Sequence, residues 1–163
     1  MKLAVIASED QNFFSHFGID FVELRKAISS RSNKKRGAST ITQQTAKNLF
    51  LWSGRSYIRK AMEAGLAILM ELLLSKQRIL EIYLNIAQTG PNPYGVGIAS
   101  QTYFNKNPIK LNQYESARIA AVLPNPNEFS VNSPSEYVLK RQNWILKQMK
   151  QLGKIQTLGN LEN

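Results

Sequence analysis

"YIRKAMEAGLAILMELLLSKQRILEIYLN", residues 57–85, carries the pattern that decides the fold. Met62, Leu66, Leu69, Met70 and Leu73 recur at helical spacing, and Ile79, Leu80 and Tyr83 continue it beyond a break predicted near Ser75. Between Ala61 and Leu74 only Glu63 and Glu71 are strongly polar, so this helix is expected to be buried on most sides. The run is too short to span a bilayer and contains two glutamates.

Helical signals extend in both directions from this segment. Upstream, "DFVELRKAI" places Glu23 three residues after Asp20, a capping-box arrangement, with Phe21, Leu24 and Ile28 on one face. "SSRSNKKRGA" (29–38) is polar, basic and glycine-containing, and reads as a mobile loop. In "STITQQTAKNLF", Thr40 and Gln43 are placed to cap a helix. Downstream, "TGPNPYGVG" (89–97) is a loop, and "YESARIAAVL" is a short helix stopped by Pro124 and Pro126. The last helix is predicted to begin at Ser133 with Pro134 in its first turn and Glu136 closing the box, and to stop at Gly153. Val138, Ile145, Met149 and Leu152 form its buried stripe. No alternating strand is apparent, so the predicted fold class is all-α.

The chain has 163 residues, of which 43% are apolar, enough for one domain with a real core. Cysteine is absent, which excludes disulfides, thiol catalysis and cysteine metal sites. With 21 Lys and Arg against 11 Asp and Glu, the net charge is +10. That charge suits nucleic acid, anionic headgroups, a phosphate-bearing substrate or simply a solvated basic surface.

Several residues offer chemistry. In "SEDQNFFSHFGID" (8–20), Glu9 and Asp10 stand beside Phe13, Phe14 and Phe17. A carboxylate desolvated by aromatics suits a general base or acid, whereas the same pair in water would only cap a helix. His16, the only histidine, fits a structural part better than a zinc site. Glu63, in the apolar helix, needs a partner, and Arg59 four residues earlier is the one predicted. Lys47, Arg55, Arg59 and Lys60 form either a phosphate-binding cluster or a charged face in solvent. Together, two carboxylates and a cationic site suit a reaction in which a sugar hydroxyl displaces a pyrophosphate.

Five stretches in order resemble the motifs of the peptidoglycan glycosyltransferases, glycosyltransferase family 51: "EDQNFFSHFGID", "RGASTITQQTAKNLF", "RKAMEAGLAILMEL", "KQRILEIYLN" and "AAVLPNP". The wording between them is most similar to the monofunctional Gram-negative branch. Ala38 stands where many relatives have a second glycine. "SNKK" (32–35) spells Ser-x-x-Lys, but there is no Lys-Thr-Gly, so it reads as chance.

The resemblance implies an all-α, lysozyme-like domain spanning residues 1–163, without the N-terminal membrane anchor and first segment of relatives. It implies polymerisation of lipid II, with the growing lipid-linked glycan as donor, by inverting displacement of undecaprenyl pyrophosphate. Glu9 takes the role of base, and Glu63 is the second catalytic carboxylate, which organises the cationic site or holds a metal or water near the pyrophosphate. Lys47, Arg55 and Arg59, with Ser39, Thr40, Gln43, Gln44 and Asp10, are the substrate-binding positions. Mg²⁺ or another divalent cation is the implied assisting ion, with no metal-ligand residues assigned and no organic cofactor. Expected partners are the membrane surface and other cell-wall synthesis or division proteins, not nucleic acid, at the periplasmic face of the bacterial inner membrane. The rival readings are a lysozyme-like enzyme that cleaves peptidoglycan, a truncated inactive cell-wall scaffold and a nucleic-acid-binding module.

Overall fold

The computed structural model describes residues 1–29, 39–52, 54 and 56–159. The loop read at 29–38, with its basic run, Ala38 and "SNKK", lies outside the described residues apart from Ser29, and so does Arg55. In chain order the elements are α1 (Lys2–Glu9), α2 (Phe21–Ser29), α3 (Ile41–Phe50), α4 (Tyr57–Leu73), α5 (Lys76–Ile86), α6 (Val96–Phe104), a 3₁₀ turn (Pro108–Lys110), α7 (Gln113–Val122) and α8 (Glu136–Gly159). Among the described residues there is no strand, only two isolated bridges, Phe17 with Ile19 and Gln88 with Tyr94. The fold is all-α, as the periodicity predicts.

The chain forms two compact units: Met1–Gln11 with the chain from Leu84 onward, and Asn12–Tyr83. In the first, α1 and α7 pack on α8. Their contact face is mostly alanine: Ala4 and Ala7 from α1, and Ala117, Ala120 and Ala121 from α7, against Val138, Ile145 and Met149 of α8. Small side chains let the helices approach closely, so density is reached with little volume per residue. Gln142 of α8 fastens this packing, accepting from Arg118 Nε at 2.8 Å and donating to the Tyr114 carbonyl at 2.8 Å.

Helix α1 lacks an amphipathic signal because Ala4, Val5, Ile6 and Ala7 are all buried. α8 departs from expectation at both ends. Ser135, not Ser133, caps it, accepting from the Val138 N–H, while the Ser133 N–H turns back to Ser130 Oγ. Gly153 does not stop it, and the helix continues to Gly159. A glycine inside a helix costs about 0.5–1 kcal/mol, too little to end one that flanking packing supports.

In the second unit, α3 packs on α4. Thr40 and Gln43 form the expected capping box of α3, and Ser56 caps α4. The break falls as predicted: α4 ends at Leu73, and the Ser75 carbonyl accepts the Ile79 N–H in the first turn of α5. The buried stripe of α4 differs from the prediction. Its core-facing residues are Glu63, Ala67 and Met70. Ile58, Met62, Leu69, Leu72 and Leu73 are exposed, the last two by 68% and 72%. The helical period holds, but most of the large apolar side chains lie on the open side. Close packing explains this. Gly18, at φ +74°, comes so near α4 that an added Cβ would lie 3.1 Å from the Ala67 carbonyl oxygen.

A buried ion pair ties this unit together. Lys76 donates to Glu71 Oε1 at 2.7 Å, and the Thr42 hydroxyl donates to the same oxygen at 2.6 Å. The Lys76 ammonium also sits 4.5 Å from the centroid of the fully buried Phe13 ring.

Three substitutions test this account in chemical denaturation. Gly18→Ala is expected to lose about 1–2 kcal/mol from its left-handed backbone alone. Gly95→Ala should lose more, because at φ +80° its Cβ would fall 2.4 Å from the Asn85 carbonyl oxygen. Lys76→Met should cost about 3–5 kcal/mol by leaving Glu71 buried without its cation.

Candidate active site

The candidate residues are built into both units, and each group takes its geometry from its own unit. Glu9 is the last residue of α1, and Asp10 is its C-cap, with the Asp10 N–H donating to the Ile6 carbonyl. They therefore close a helix at its C-terminal end. The Glu9 side chain is only 11% exposed. Its Oε1 accepts from the Ser8 hydroxyl at 2.8 Å and from Arg141 Nη2 at 3.3 Å. Arg141 Nη2 also donates to Ser8 Oγ at 3.0 Å. Asp10 is buried, at 7% exposure.

The aromatics of the same motif belong to the second unit and divide in use. Phe13 is core, packed edge-on against Phe14 at 5.1 Å, whereas Phe14 and Phe17 are about half exposed. Asp20 caps α2 as predicted, accepting from the Glu23 N–H and from the Asn12 amide, both at 2.9 Å. Burial pushes its carboxyl pKa up. The Glu23 N–H, the Asn12 amide, the nearby His16 and the Val22 N–H outweigh that and hold it below the ordinary aspartate value.

Glu63 is buried on α4, 3% exposed. Its cation is Lys60, one turn away at i,i+3, rather than Arg59 at i,i+4. Both spacings lie on one helix face, so sequence alone cannot choose between them. The Lys60 ammonium also donates to Ser39 Oγ at 3.0 Å, joining the second motif to the third. Arg59 keeps its Nε buried without a hydrogen-bond partner among the described residues. Lys47, in the last turn of α3, has no ion-pair partner among the described residues.

The other polar positions of the second motif support the backbone. The Thr40 hydroxyl donates to the Gly18 carbonyl at 2.6 Å and accepts the Gln43 N–H, while Gln43 Oε1 accepts the Thr40 N–H. Gln44 Oε1 accepts from the Tyr83 hydroxyl at 3.2 Å. These bonds fix the start of α3, next to Ser39. Structure thus brings together Ser39, Lys60 and Glu63. Beside Glu9 it adds two residues to which sequence reasoning gives no role, Ser8 and Arg141, and beside Glu63 it makes Lys60, read from the sequence as one of the cationic cluster, the ion-pair partner. Lys60 was legible as the i,i+3 neighbour of Glu63. Arg141, 132 positions from Glu9, had no local signal.

Residues 1–150 match the family model described as Transglycosylase. The chain belongs to the transglycosylase family. The biosynthetic peptidoglycan transglycosylase of Citrobacter koseri is 56% identical over 156 residues, covering 94% of this chain and 64% of that protein. Those of Shigella sonnei and Escherichia coli K12 match with the same identity and coverage. The chain thus spans a little under two thirds of the length of the curated relatives it matches.

The described residues offer no group of three or more His, Asp or Glu side chains that could hold a metal ion. Glu63 has its charge met by Lys60 instead. The donor set does not fit a divalent ion held by protein ligands alone.

Asp20 gives this region a pH signature. Its depressed pKa stabilises the fold fully above the unfolded-state value of about 3.9. That contribution is lost as pH falls through the lower folded-state value. Asp20→Asn keeps a capping side chain. It should therefore be less stable than wild type near neutrality, with the gap closing below about pH 4, read by urea denaturation across pH.

Proposed function

We propose that this chain is a peptidoglycan glycosyltransferase that polymerises lipid II into β-1,4-linked glycan and releases undecaprenyl pyrophosphate. The observation that carries this reading is the pair of cations on the packed helices α3 and α4, Lys47 and Arg59, which have no carboxylate partner among the described residues. Lys26, Lys76 and Arg78 of the same unit each have one. Cations left without internal partners suit a polyanionic leaving group. A hydrolase that cleaves finished glycan has no pyrophosphate to bind, which disfavours the peptidoglycan-cleaving alternative. The family match supports the same reading.

In this mechanism the acceptor sugar's 4-hydroxyl attacks the anomeric carbon of the lipid-linked donor. Glu9 takes the hydroxyl proton as the new C–O bond forms. The bond to pyrophosphate breaks on the opposite side, so the α link becomes a β link without a covalent glycosyl-enzyme. Pyrophosphate is already a good leaving group and needs charge neutralisation more than a proton. Lys47, Arg55 and Arg59 supply that charge. Glu63 fixes Lys60, and through it Ser39, at the edge of the cationic site. Asp10, Thr40, Gln43 and Gln44 act as supports for the substrate-binding backbone.

The exposed apolar side chains of the second unit support work at a membrane surface. Phe21 and Val22 of α2, Phe50 at the end of α3, Trp52 after it, and Ile58, Leu72 and Leu73 of α4 are each more than half exposed. No helix among the described residues is long and apolar enough to cross a membrane. We place the protein at the periplasmic face of the bacterial inner membrane, beside other cell-wall synthesis proteins, with its apolar side chains against lipid.

The test is polymerisation of labelled lipid II in detergent. Wild type is expected to yield long glycan chains. Glu9→Gln should lose about 100-fold or more in rate, the scale of a positioned base. Lys47→Ala should lose turnover with its melting temperature unchanged. Full activity in Glu9→Gln would remove the base assignment, and release of soluble muropeptides from purified walls would favour the cleaving enzyme.

A further inference from the structure

Resting on the reading of Glu9 as the base, we propose that Arg141 of α8 is its positioning residue, acting with Ser8 as a clamp that sets the carboxylate's direction. Three observations carry this. First, the contact is long-range and mostly buried: the Arg141 and Glu9 side chains are 21% and 11% exposed. Second, the geometry is a closed triangle. One guanidinium nitrogen donates to both Ser8 Oγ and Glu9 Oε1, while the Ser8 hydroxyl donates to that same Oε1. Two donors converging on one carboxylate oxygen hold that oxygen in place. Third, Arg141 Nε is buried without a hydrogen-bond partner among the described residues. An arginine placed only to join helices would satisfy its donors. This one leaves Nε unmet while directing Nη2 at Glu9.

Among the described cations on the helices packed against α1, Arg141 is directed at Glu9 in an ion pair. α1 packs against α7 and α8. On α7, the Arg118 guanidinium is directed to Gln142 and the Val131 carbonyl, and Glu115 pairs with Lys106. On α8, Lys140 pairs with Glu136 at 2.6 Å, and Lys147 and Lys150 are both exposed. α1 itself carries Lys2 in its first turn and Asp10 as its C-cap. Gln142, next to Arg141, locks α8 to α7 and so sets the register from which Arg141 reaches across.

The experiment compares wild type, Arg141→Met, Arg141→Lys and Ser8→Ala in two readouts, the steady-state kinetics of lipid II polymerisation and the melting temperature. In Arg141→Met, kcat is expected to fall about tenfold or more with KM little changed. Arg141→Lys should restore only part of kcat, because a single ammonium keeps the charge without the guanidinium's fixed fork. Ser8→Ala should lower kcat by less than Arg141→Met does. A wild-type kcat in Arg141→Met, or a loss of activity carried by KM alone, would overturn the proposal and leave Arg141 a helix anchor. Should Arg141→Met fail to fold, Arg141→Lys and Ser8→Ala decide the question: wild-type kcat in both removes the clamp. Activity retained in Glu9→Gln while Arg141→Met still loses kcat would instead strike the base assignment.

Discussion

A carboxylate removed from water must take a cation or strong donors with it, and this fold meets that demand repeatedly. Glu71 takes Lys76 and Thr42, Glu63 takes Lys60, and Glu9 takes Arg141 and Ser8. Leaving such a group unpaired would cost several kcal/mol, a large part of a typical domain's net stability. The pairs therefore constrain which helices pack and at what register. Glu71 and Lys76 span the α4–α5 break, and Thr42 draws α3 onto the same carboxylate. Glu9 and Arg141 bind α1 to α8.

The three pairs differ in what the cation can still do. Lys76, 16% exposed, is shared between Glu71 and the Phe13 ring and is enclosed by the core. Lys60 is 48% exposed and donates to Ser39 as well. Its pair is half open, so the charge of the buried Glu63 is met while the ammonium still faces solvent. Arg141 lies between these cases. Enclosure distinguishes the pair whose cation is held within the core from the pairs whose cation still meets solvent.

Exposure of apolar side chains follows from a related constraint. α3 and α4 pack through small or polar residues, with Ala46, Thr42 and Ala67 all buried. Besides Met70 and Glu63 that face of α4 takes no large side chain, and Ile58, Met62, Leu69, Leu72 and Leu73 are exposed. A domain in water seldom leaves so many large apolar groups exposed.

By itself the sequence determined the all-α class, the caps of α2 and α3, the break at Ser75 and the identity of the motif residues. These rest on hydrogen bonds and periodicities spanning a few residues, so local order contains them. It did not reveal α1, whose burial on all sides erases amphipathic contrast, nor that α8 would run through Gly153. Only tertiary structure decided which side of α4 faces the core, that Lys60 rather than Arg59 meets Glu63, and that Arg141 meets Glu9. Helical period fixes a face but not its direction, and i,i+3 competes equally with i,i+4. A partner 132 positions away is chosen by helix packing, which no local pattern records.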